Sequence, residues 1–326
     1  MNSSSDLAVH AVGLTRRFGG VVAVDGLDLA VPAGCVYGFL GPNGAGKTTT
    51  VRLLATLLRP DAGSATVLGR DVVRQADEVR ERIAVTGQFA ALDADLTGVE
   101  NLVIVARLLG HRPRAARARA AELLSAFGLD EAATRQVKTY SGGMRRRLDV
   151  AASLIATPEL LFLDEPTTGL DPASRQRVWE SVRTLAAAGT TVLLTTQYLG
   201  EADELAARVA VIDHGRLIAE GTPGELRAAG GRGRLHVRLG DPGRRNDAAE
   251  LLAQMLGPVE MAAGDPAALT VLAPEPARAA QALAELGRAG IAVPGFSLDQ
   301  PSLEDVFLAL TGQSGRRQDA GISTEP

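Results

Sequence analysis

The chain has 326 residues, of which 46% are hydrophobic and 22% charged, with a formal net charge of -4 at pH 7. This composition is typical of a globular protein and excludes the fibrous and disordered classes, and the length predicts one large domain plus a smaller one. The negative balance gives no general attraction to nucleic acid or anionic lipid. Cys35 is the single cysteine, which excludes an intrachain disulfide and favours a reducing compartment.

The first residues and the apolar stretches bear on targeting. The start, "MNSSSDLAVH", has neither the charged region nor the apolar region of a secretory signal. No apolar stretch approaches the roughly 18 to 20 residues that cross a bilayer. We therefore expect neither a secretory leader nor a membrane-spanning helix.

The first two thirds of the chain alternate strand-like with helix-like segments. Short apolar pieces predict an antiparallel edge sheet, and continuous apolar runs predict buried strands. The strand-like segments are 8–14, 27–31, 35–41, 64–68, 83–86, 160–164, 191–196 and a closing hairpin at 209–221. The helix-like segments begin at Gly46 and at 98–109, 114–127 and 173–188. Such alternation implies a mostly parallel sheet with ligand groups at the strand C-termini.

A change of composition at "RAAGGRGR" (227–234) predicts a domain boundary. Beyond it, strands and helices follow in the order βαββαβ with one added helix, which is compatible with a small two-layer α/β domain. These segments are 234–239, 247–256, 258–262, 269–273, 276–288, 291–297 and 302–310. We predict domains at 1–230 and 231–311, and a disordered tail over 312–326 because that segment has no periodicity.

The stretch "GPNGAGKTT" fits the pattern of a phosphate-binding loop between a strand and a helix. Glycines allow consecutive backbone N–H groups to surround phosphates, and the helix N-terminus adds its positive dipole end. Lys47 supplies charge to the β- and γ-phosphates, and the Thr48 hydroxyl can ligate Mg²⁺. A nucleotide phosphate with Mg²⁺ is therefore the predicted ligand of this loop, and ATP as the nucleotide is implied by the resemblance given below. The predicted nucleotide-binding residues are Gly41, Pro42, Asn43, Gly44, Ala45, Gly46, Lys47, Thr48 and Thr49.

Two consecutive carboxylates end the predicted strand "LLFLD". Asp164 can hold Mg²⁺, and Glu165 can polarise the water that attacks the γ-phosphate. By themselves the two carboxylates could be an acidic helix N-cap ahead of Pro166. After a phosphate-binding loop, the catalytic interpretation is favoured.

A second anion site is predicted at "YSGGMRRRLDVAASL" (140–154). Ser141, Gly142 and Gly143 precede an amphipathic helix, where a serine cap and free N–H groups favour an anion. For Ser141 alone, an ordinary helix cap is an equal alternative. A chain with one phosphate-binding loop has no obvious use for a second anion site, so the pair of motifs needs an explanation.

Taken together, the phosphate loop, "SGG" before a helix, "LFLDEP" and "GLD" resemble the ATP-binding subunits of ATP-binding-cassette (ABC) transporters over roughly residues 8–225. The resemblance implies a P-loop NTPase fold of the ABC cassette type, with a helical subdomain at about 88–157. It also implies a head-to-tail homodimer, in which Ser141, Gly142 and Gly143 contact the γ-phosphate of the partner's ATP.

Three further residues take their roles from the resemblance. Gln88 in "VTGQF" matches the glutamine that senses Mg²⁺ and links to the membrane partner, and Asp171 in "TTGLD" matches the aspartate that acts across the dimer. Phe18 in "TRRFGG" matches the aromatic residue that stacks on adenine, although a lone Phe after a strand is equally well a core residue.

Departures from the usual pattern indicate a branch of the family. Tyr140 and Met144 replace the usual Leu and Gln of the signature, and Gln197 stands where a histidine is expected after the last strand. Both departures, and the ending "PSLEDVFLALTG" (301–312), are similar to the daunorubicin/doxorubicin-resistance branch. That similarity implies a separately encoded membrane permease that binds and exports hydrophobic drugs or antibiotics, with this subunit peripheral at the cytoplasmic face of the cell membrane.

Gln197 is therefore a predicted catalytic residue beside Lys47 and Glu165. Its amide can donate to a phosphate oxygen and accept from the opposing subunit. Unlike histidine, it cannot carry a proton near neutral pH. We interpret it as a positioning contact, with Glu165 as the base.

Other functions remain as alternatives. A soluble, non-transport ABC ATPase would act on nucleic acid or ribosomes, but such chains usually carry two cassettes or a long coiled-coil insertion. The short interval 88–140 and the net charge favour a pump without a nucleic-acid partner. An exporter of lipid or polysaccharide is a further alternative, and the C-terminal domain could be an accessory ligand sensor.

Some remaining features are assigned no site. We interpret Arg145, Arg146 and Arg147 as a solvated helix face, because three charges without aromatic residues neutralise too few phosphates for nucleic-acid binding. The four histidines lack metal-ligand spacing. The apolar stripe of 99–109 is compatible both with an ordinary core and with contact to the permease.

Overall fold

The structure is a computed structural model that describes residues 7–86, 92–229, 233–261, 264–273, 276–299, 302–304 and 306–307. It divides into two compact units, Met1–Pro223 and Gly224–Pro326. The boundary predicted between residues 230 and 231 stays a prediction, as does the extent of the helical subdomain.

The first unit alternates strands and helices along the chain. Its elements are β1 (Leu7–Phe18), β2 (Val21–Pro32), β3 (Val36–Leu40), α1 (Lys47–Leu54), β4 (Ala62–Val67), β5 (Arg70–Asp71), α2 (Ala76–Arg80), β6 (Ile83–Thr86), α3 (Gly98–Leu108), α4 (Pro113–Ala126), α5 (Gly142–Ser153), β7 (Leu160–Asp164), α6 (Pro172–Ala187), β8 (Thr191–Thr196), α7 (Leu199–Leu205), β9 (Arg208–Asp213) and β10 (Arg216–Gly221). α8 (Pro223–Ala229) follows along the chain and contains the point at which the chain divides into the two units.

A six-stranded sheet forms the centre of this unit, in the order β10-β9-β3-β8-β7-β6. β6, β7, β8, β3 and β9 are parallel neighbours, and only β10 is antiparallel to β9. Every residue of β3, β7 and β8 is buried, as their continuous apolar runs require of strands covered on both faces. The predicted mostly parallel sheet is confirmed, and the strand C-termini meet at one edge.

The predicted antiparallel edge sheet is also confirmed. It has the order β2-β1-β4-β5, and its first two strands form a hairpin longer than the predicted segments 8–14 and 27–31. Its inner face contributes Val9, Leu14 and Leu27 to a buried cluster that also contains Phe39 of β3 and Leu54 of α1. The edge sheet therefore packs on the strand and helix that flank the phosphate loop.

Helices α3, α4 and α5 pack against one another and share a core with the central sheet. Leu102, Leu124 and Leu148, one from each helix, lie in the same buried cluster as Leu161 of β7. α3 begins with a capping box, in which the Thr97 backbone N–H donates to Glu100 at 2.8 Å and the Thr97 hydroxyl accepts from the Glu100 backbone N–H at 3.3 Å. No helix in the described part of the chain is long and apolar enough to cross a membrane.

The second unit contains a four-stranded antiparallel sheet in the order β12-β13-β11-β14, with two helices. Its elements are β11 (Gly233–Arg238), α9 (Arg245–Leu256), β12 (Val259–Met261), β13 (Ala268–Ala273), α10 (Pro276–Arg288) and β14 (Gly295–Asp299). The small α/β domain is therefore confirmed. β14 begins four residues later than predicted, after Pro294, which has no N–H to donate to a strand neighbour.

The end of the chain is only partly described. Residues 303–304 and 306–307 are helical, within the helix predicted at 302–310. The tail predicted over 312–326 lies outside the described residues.

Candidate active site

The phosphate-binding loop follows β3 at the C-terminal edge of the central sheet and leads into α1. Gly44 and Gly46 have φ of 83° and 102°, which only glycine adopts without strain. A Cβ on Gly46 would lie 2.3 Å from the Ala23 carbonyl oxygen, and one on Gly41 would lie 2.4 Å from the Ile212 carbonyl oxygen. The glycines are therefore required both by backbone conformation and by the close approach of neighbouring chain.

Lys47 lies inside this loop with only 5% of its side chain exposed. Its Nζ donates to the Gly41 carbonyl at 2.7 Å and the Pro42 carbonyl at 3.1 Å. It also lies 3.6 Å from Glu165 Oε1. Burial lowers the pKa of this ammonium, and the nearby Glu165 carboxylate opposes that shift. The loop thus holds a pre-positioned cation whose present partners are mostly neutral carbonyls.

Oxygen ligands converge at the end of β7. Asp164 is 4% exposed, and its Oδ2 accepts from the Thr48 hydroxyl at 2.9 Å. Its Oδ1 accepts from the Thr195 hydroxyl on the neighbouring strand β8. A hydroxyl next to a carboxylate is the kind of hard oxygen donor set that Mg²⁺ takes together with water and substrate phosphates, so these residues fit that ion. No cluster of three or more potential metal ligands occurs among the residues that the structure describes.

Glu165 adopts a left-handed backbone conformation with φ of 48°. For a residue with a Cβ this costs about 1–3 kcal/mol. The Glu165 backbone N–H donates to the Thr195 carbonyl at 3.1 Å, and its Oε2 accepts from the Thr168 hydroxyl at 3.3 Å. The next helix begins at Pro172, so the alternative that the two carboxylates cap a helix is wrong.

A second group of predicted residues lies where α5 and α6 begin. Ser141 is the N-cap of α5, and its hydroxyl accepts from the Met144 backbone N–H at 3.2 Å. Asp171 caps α6, accepting from the Ser174 backbone N–H at 2.9 Å and the Ser174 hydroxyl at 2.6 Å, and these hydrogen bonds lower its pKa. A Cβ on Gly143 would lie 2.4 Å from Ser174 Oγ. The two helix N-termini therefore pack closely, and Gly143 permits it.

The predicted residues thus fall into two groups. The loop, Asp164 and Glu165 form one, and Ser141–Gly143 with Asp171 form the other. Among the described residues, no hydrogen bond or ion pair links Ser141, Gly142 or Gly143 directly to the phosphate loop.

Gln197 follows β8 and is partly exposed. In the sheet Asp164 is paired with Thr195, so Gln197 lies two residues beyond that pair, at the same edge as Glu165. Phe18 ends β1 and is 45% exposed, with the Arg16 guanidinium 4.9 Å from its ring centroid. The core interpretation of Phe18 is therefore wrong, and its stacking on adenine stays a prediction. Gln88 lies outside the described residues.

The interpretation of Arg145, Arg146 and Arg147 as a solvated face is wrong for two of the three. Arg147 is only 7% exposed and donates to the Phe127 and Gly128 carbonyls. Arg146 donates to the Pro166 carbonyl at 3.0 Å and the Asp164 carbonyl at 3.1 Å. The long arginine side chains donate to backbone carbonyls that are distant in sequence, and the positions of charged residues along one helix do not reveal such partners. The spacing of Arg147 from Gly143, one helical turn, was the available signal that it shares the buried face.

Two further residues that contact the predicted site or the helices beside it escaped the sequence analysis. Thr195 holds both Asp164 and the Glu165 backbone, and only its place at the end of a buried strand could have indicated this. Glu201 on α7 is 1% exposed and accepts from the Trp179 indole N–H at 3.1 Å. Burial raises the pKa of Glu201. It anchors the helix after Gln197 to α6, which begins just after Asp171.

Comparisons with known proteins agree with this geometry. The family model described as ABC transporter matches residues 24–168, and the model described as ATP-binding protein DrrA1-3-like, C-terminal domain, matches residues 221–311. The solved structure of cbiO1 from Clostridium perfringens, part of the ABC transporter complex cbiONQ, superposes with a TM-score of 0.64 at 24% identity, covering 68% of this chain and 91% of that one. The structural likeness shows the cassette fold.

Relatives extend the match to nearly the whole chain. The daunorubicin/doxorubicin resistance ATP-binding protein DrrA of Streptomyces peucetius is 59% identical, over 96% of this chain and 94% of its own length. The doxorubicin resistance ATP-binding protein DrrA of Mycobacterium tuberculosis is 46% identical, over 94% of this chain and 95% of its own. The chain therefore belongs to the ATP-binding subunits of ABC transporters, in the group of the daunorubicin/doxorubicin resistance proteins, and it is an ATPase cassette.

Proposed function

We propose that the chain is the ATP-hydrolysing subunit of a bacterial export pump that expels hydrophobic drugs or antibiotics. The observation that carries this proposal is the identity of 59%, over 96% of the chain, with a drug-resistance ATP-binding protein. A separately encoded permease would bind the drug and span the membrane. This subunit would then be peripheral at the cytoplasmic side of the cell membrane, attached through the permease.

The residues of the first group divide the chemical work. Lys47 and the loop N–H groups bind the phosphates, and Thr48 and Asp164 would hold Mg²⁺. Mg²⁺, when bound, supplies positive charge that offsets charge on the phosphate oxygens. Glu165 accepts the proton of the attacking water, with its carboxylate oriented by Thr168. Thr195 keeps Asp164 and Glu165 in register at the edge of the sheet.

The second group supports a dimer. Ser141, Gly142 and Gly143 begin a helix, where free N–H groups and the dipole favour an anion. Because no described hydrogen bond connects them to the phosphate loop of their own chain, a second copy arranged head to tail gives them a phosphate to contact. Two composite sites would then form in a homodimer, with Asp171 acting across the interface.

Co-expression with a membrane permease encoded in a neighbouring reading frame, if that frame encodes one, tests the export proposal. We expect amphipathic drugs to stimulate ATP hydrolysis by the assembled complex, and not by a complex carrying Glu165→Gln. Stimulation by lipid or polysaccharide substrates in place of drugs would favour the alternative exporter. A rate of ATP hydrolysis that is changed neither by the permease nor by drugs, lipids or polysaccharides would contradict the pump proposal.

Gln197 provides a separate test within the site. We expect Gln197→Ala to lower steady-state ATP hydrolysis about tenfold or more, because a phosphate-directed hydrogen bond is lost. Gln197→His should retain most of the activity, because imidazole can donate in the same place. Gln176→Ala, an exposed amide on α6, is the matched control. Equal and mild losses of ATP hydrolysis in both Gln197 variants would show that this side chain does not contribute to hydrolysis.

A further inference from the structure

A cleft of about 940 Å³ opens at the edge of the central sheet opposite the phosphate loop. Pro158 and Glu159, which precede β7, and Thr190 and Thr191, at the start of β8, form one side. The catalytic residues follow the other ends of these same strands. α4, α5 and α6 supply the remaining walls. The volume is that of a site for a drug-sized molecule.

Much of the lining is aliphatic. Leu123 of α4, Leu154 at the end of α5 and Leu185 of α6 line the cleft, together with Leu68 and Phe127. Such a surface favours an apolar body, because each buried Å² of apolar area contributes about 25 cal/mol. The lining alone does not define the polar end of a ligand.

Two guanidinium groups define that end. Arg147 is 7% exposed, and its Nε is buried without a hydrogen-bond partner among the described residues. Arg177 of α6 also lines the cleft, with its Nη2 donating to Ser174 Oγ at 3.3 Å. Arg147 and Arg177 line the same cleft. Burial lowers the pKa of Arg147, and the positive charge of Arg177 lowers it further. Neither makes an ion pair with a carboxylate in the described part of the chain.

The other charges of the cleft do not offset this pair. Arg119 is paired with Glu122 at 2.8 Å, and Glu159 is paired with Arg82 at 2.6 Å. Glu180 is the remaining carboxylate of the lining, so Arg147 and Arg177 together exceed it by one positive charge. A buried guanidinium without a carboxylate is costly, and an anion between the two would relieve that cost.

We propose that this cleft binds an amphipathic organic monoanion, with its apolar body against the leucines and its carboxylate or sulfonate head between Arg147 and Arg177. Guanidinium groups bind such oxyanions through paired N–H donors. The helices that carry the two arginines begin at the caps Ser141 and Asp171. On the proposed function, an occupied cleft therefore alters nucleotide binding at the N-termini of α5 and α6.

Titration of the full chain without nucleotide tests the site directly. The probe is 8-anilinonaphthalene-1-sulfonate, followed by fluorescence, with octanoate and 1-octanol as competitors of equal chain length. We expect Arg177→Gln to weaken probe binding about tenfold, and Ala126→Trp, which fills the cleft from α4, to abolish it. Octanoate should displace the probe where 1-octanol does not. Arg183→Gln, an exposed arginine of α6 paired with Glu204, is the matched control and should bind as the unaltered chain does.

Two outcomes would overturn the site: unchanged probe affinity in both Arg177→Gln and Ala126→Trp, or displacement by 1-octanol as strong as by octanoate. Circular dichroism of each variant verifies its fold. The coupling is measured separately, as the Kd for ATP with and without saturating octanoate, where we expect a change of about fivefold that Ala126→Trp removes. An unchanged Kd would refute the coupling. Probe binding without nucleotide does not depend on the export proposal, so the result of that titration stands even if the export proposal fails.

Discussion

Lys47→Ala should lower the rate of ATP hydrolysis about a thousandfold, the cost of removing a pre-organised charge from a transition state. The ammonium is buried in the loop and held by the Gly41 and Pro42 carbonyls, so no solvent cation occupies the same place readily. Glu165 lies 3.6 Å from Nζ and would also lose its nearest cation. The measurement is steady-state hydrolysis by purified protein at saturating ATP.

Lys138→Ala is the matched control, since Lys138 is the only other lysine of the chain. It is half exposed and pairs with Asp95 at 3.1 Å, and an exposed pair of this kind contributes about 0–1 kcal/mol. We expect near-normal hydrolysis from that variant. Near-normal hydrolysis from Lys47→Ala would refute the assignment of the phosphate loop.

Features encoded by contiguous residues were predictable from the sequence. The strands β3, β7 and β8 are short continuous apolar runs, and each ends in the residues that carry the chemistry. The loop at 41–49 needs its glycines for backbone reasons that are local in the chain. Because parallel strands bring their C-termini to one edge, the predicted parallel sheet places Thr48 and Asp164 at the same edge, where their side chains are hydrogen-bonded.

Features that depend on long-range contacts were not predictable in this way. Arg147 looked like a surface charge because its partners, the carbonyls at the end of α4, lie about twenty residues away. Thr195 looked like one of several strand threonines, and its role depends on pairing with a strand thirty-one residues earlier. The periodicity of apolar residues along one helix or strand shows on which face a residue lies, but not which residues pack against that face.

Arg146 connects the two groups of site residues. It lies on α5, the helix that follows Tyr140 and Ser141 of the signature, and it donates to the carbonyls of Asp164 and Pro166. Burial lowers the pKa of Arg146, and Asp149 opposes that shift. The helix that would contact the partner's nucleotide is thereby tied to the strand that holds this chain's own Asp164. We expect a conformational change at one composite site to alter the other through the hydrogen bonds of Arg146.

Glu165→Gln should lower ATP hydrolysis about a hundred- to a thousandfold while leaving ATP binding intact. The amide keeps the size of the side chain and can accept from the Thr168 hydroxyl, but it cannot take a proton from water. The left-handed backbone at this position is held by Thr195 and is unchanged by the substitution. With bound ATP no longer consumed, the head-to-tail dimer should accumulate.

Size-exclusion chromatography with and without ATP measures that accumulation. We expect Glu165→Gln to elute as a dimer only with ATP, and Glu78→Gln, which alters an exposed carboxylate of α2 paired with Arg70, to behave as the unaltered chain. Adding Ser141→Ala to Glu165→Gln should weaken the dimer, because the signature helix loses its cap and, on the proposed function, its contact to the partner's phosphate. A Glu165→Gln protein that binds ATP and stays monomeric would contradict the composite site, whereas rapid hydrolysis would show that a group other than Glu165 accepts the proton.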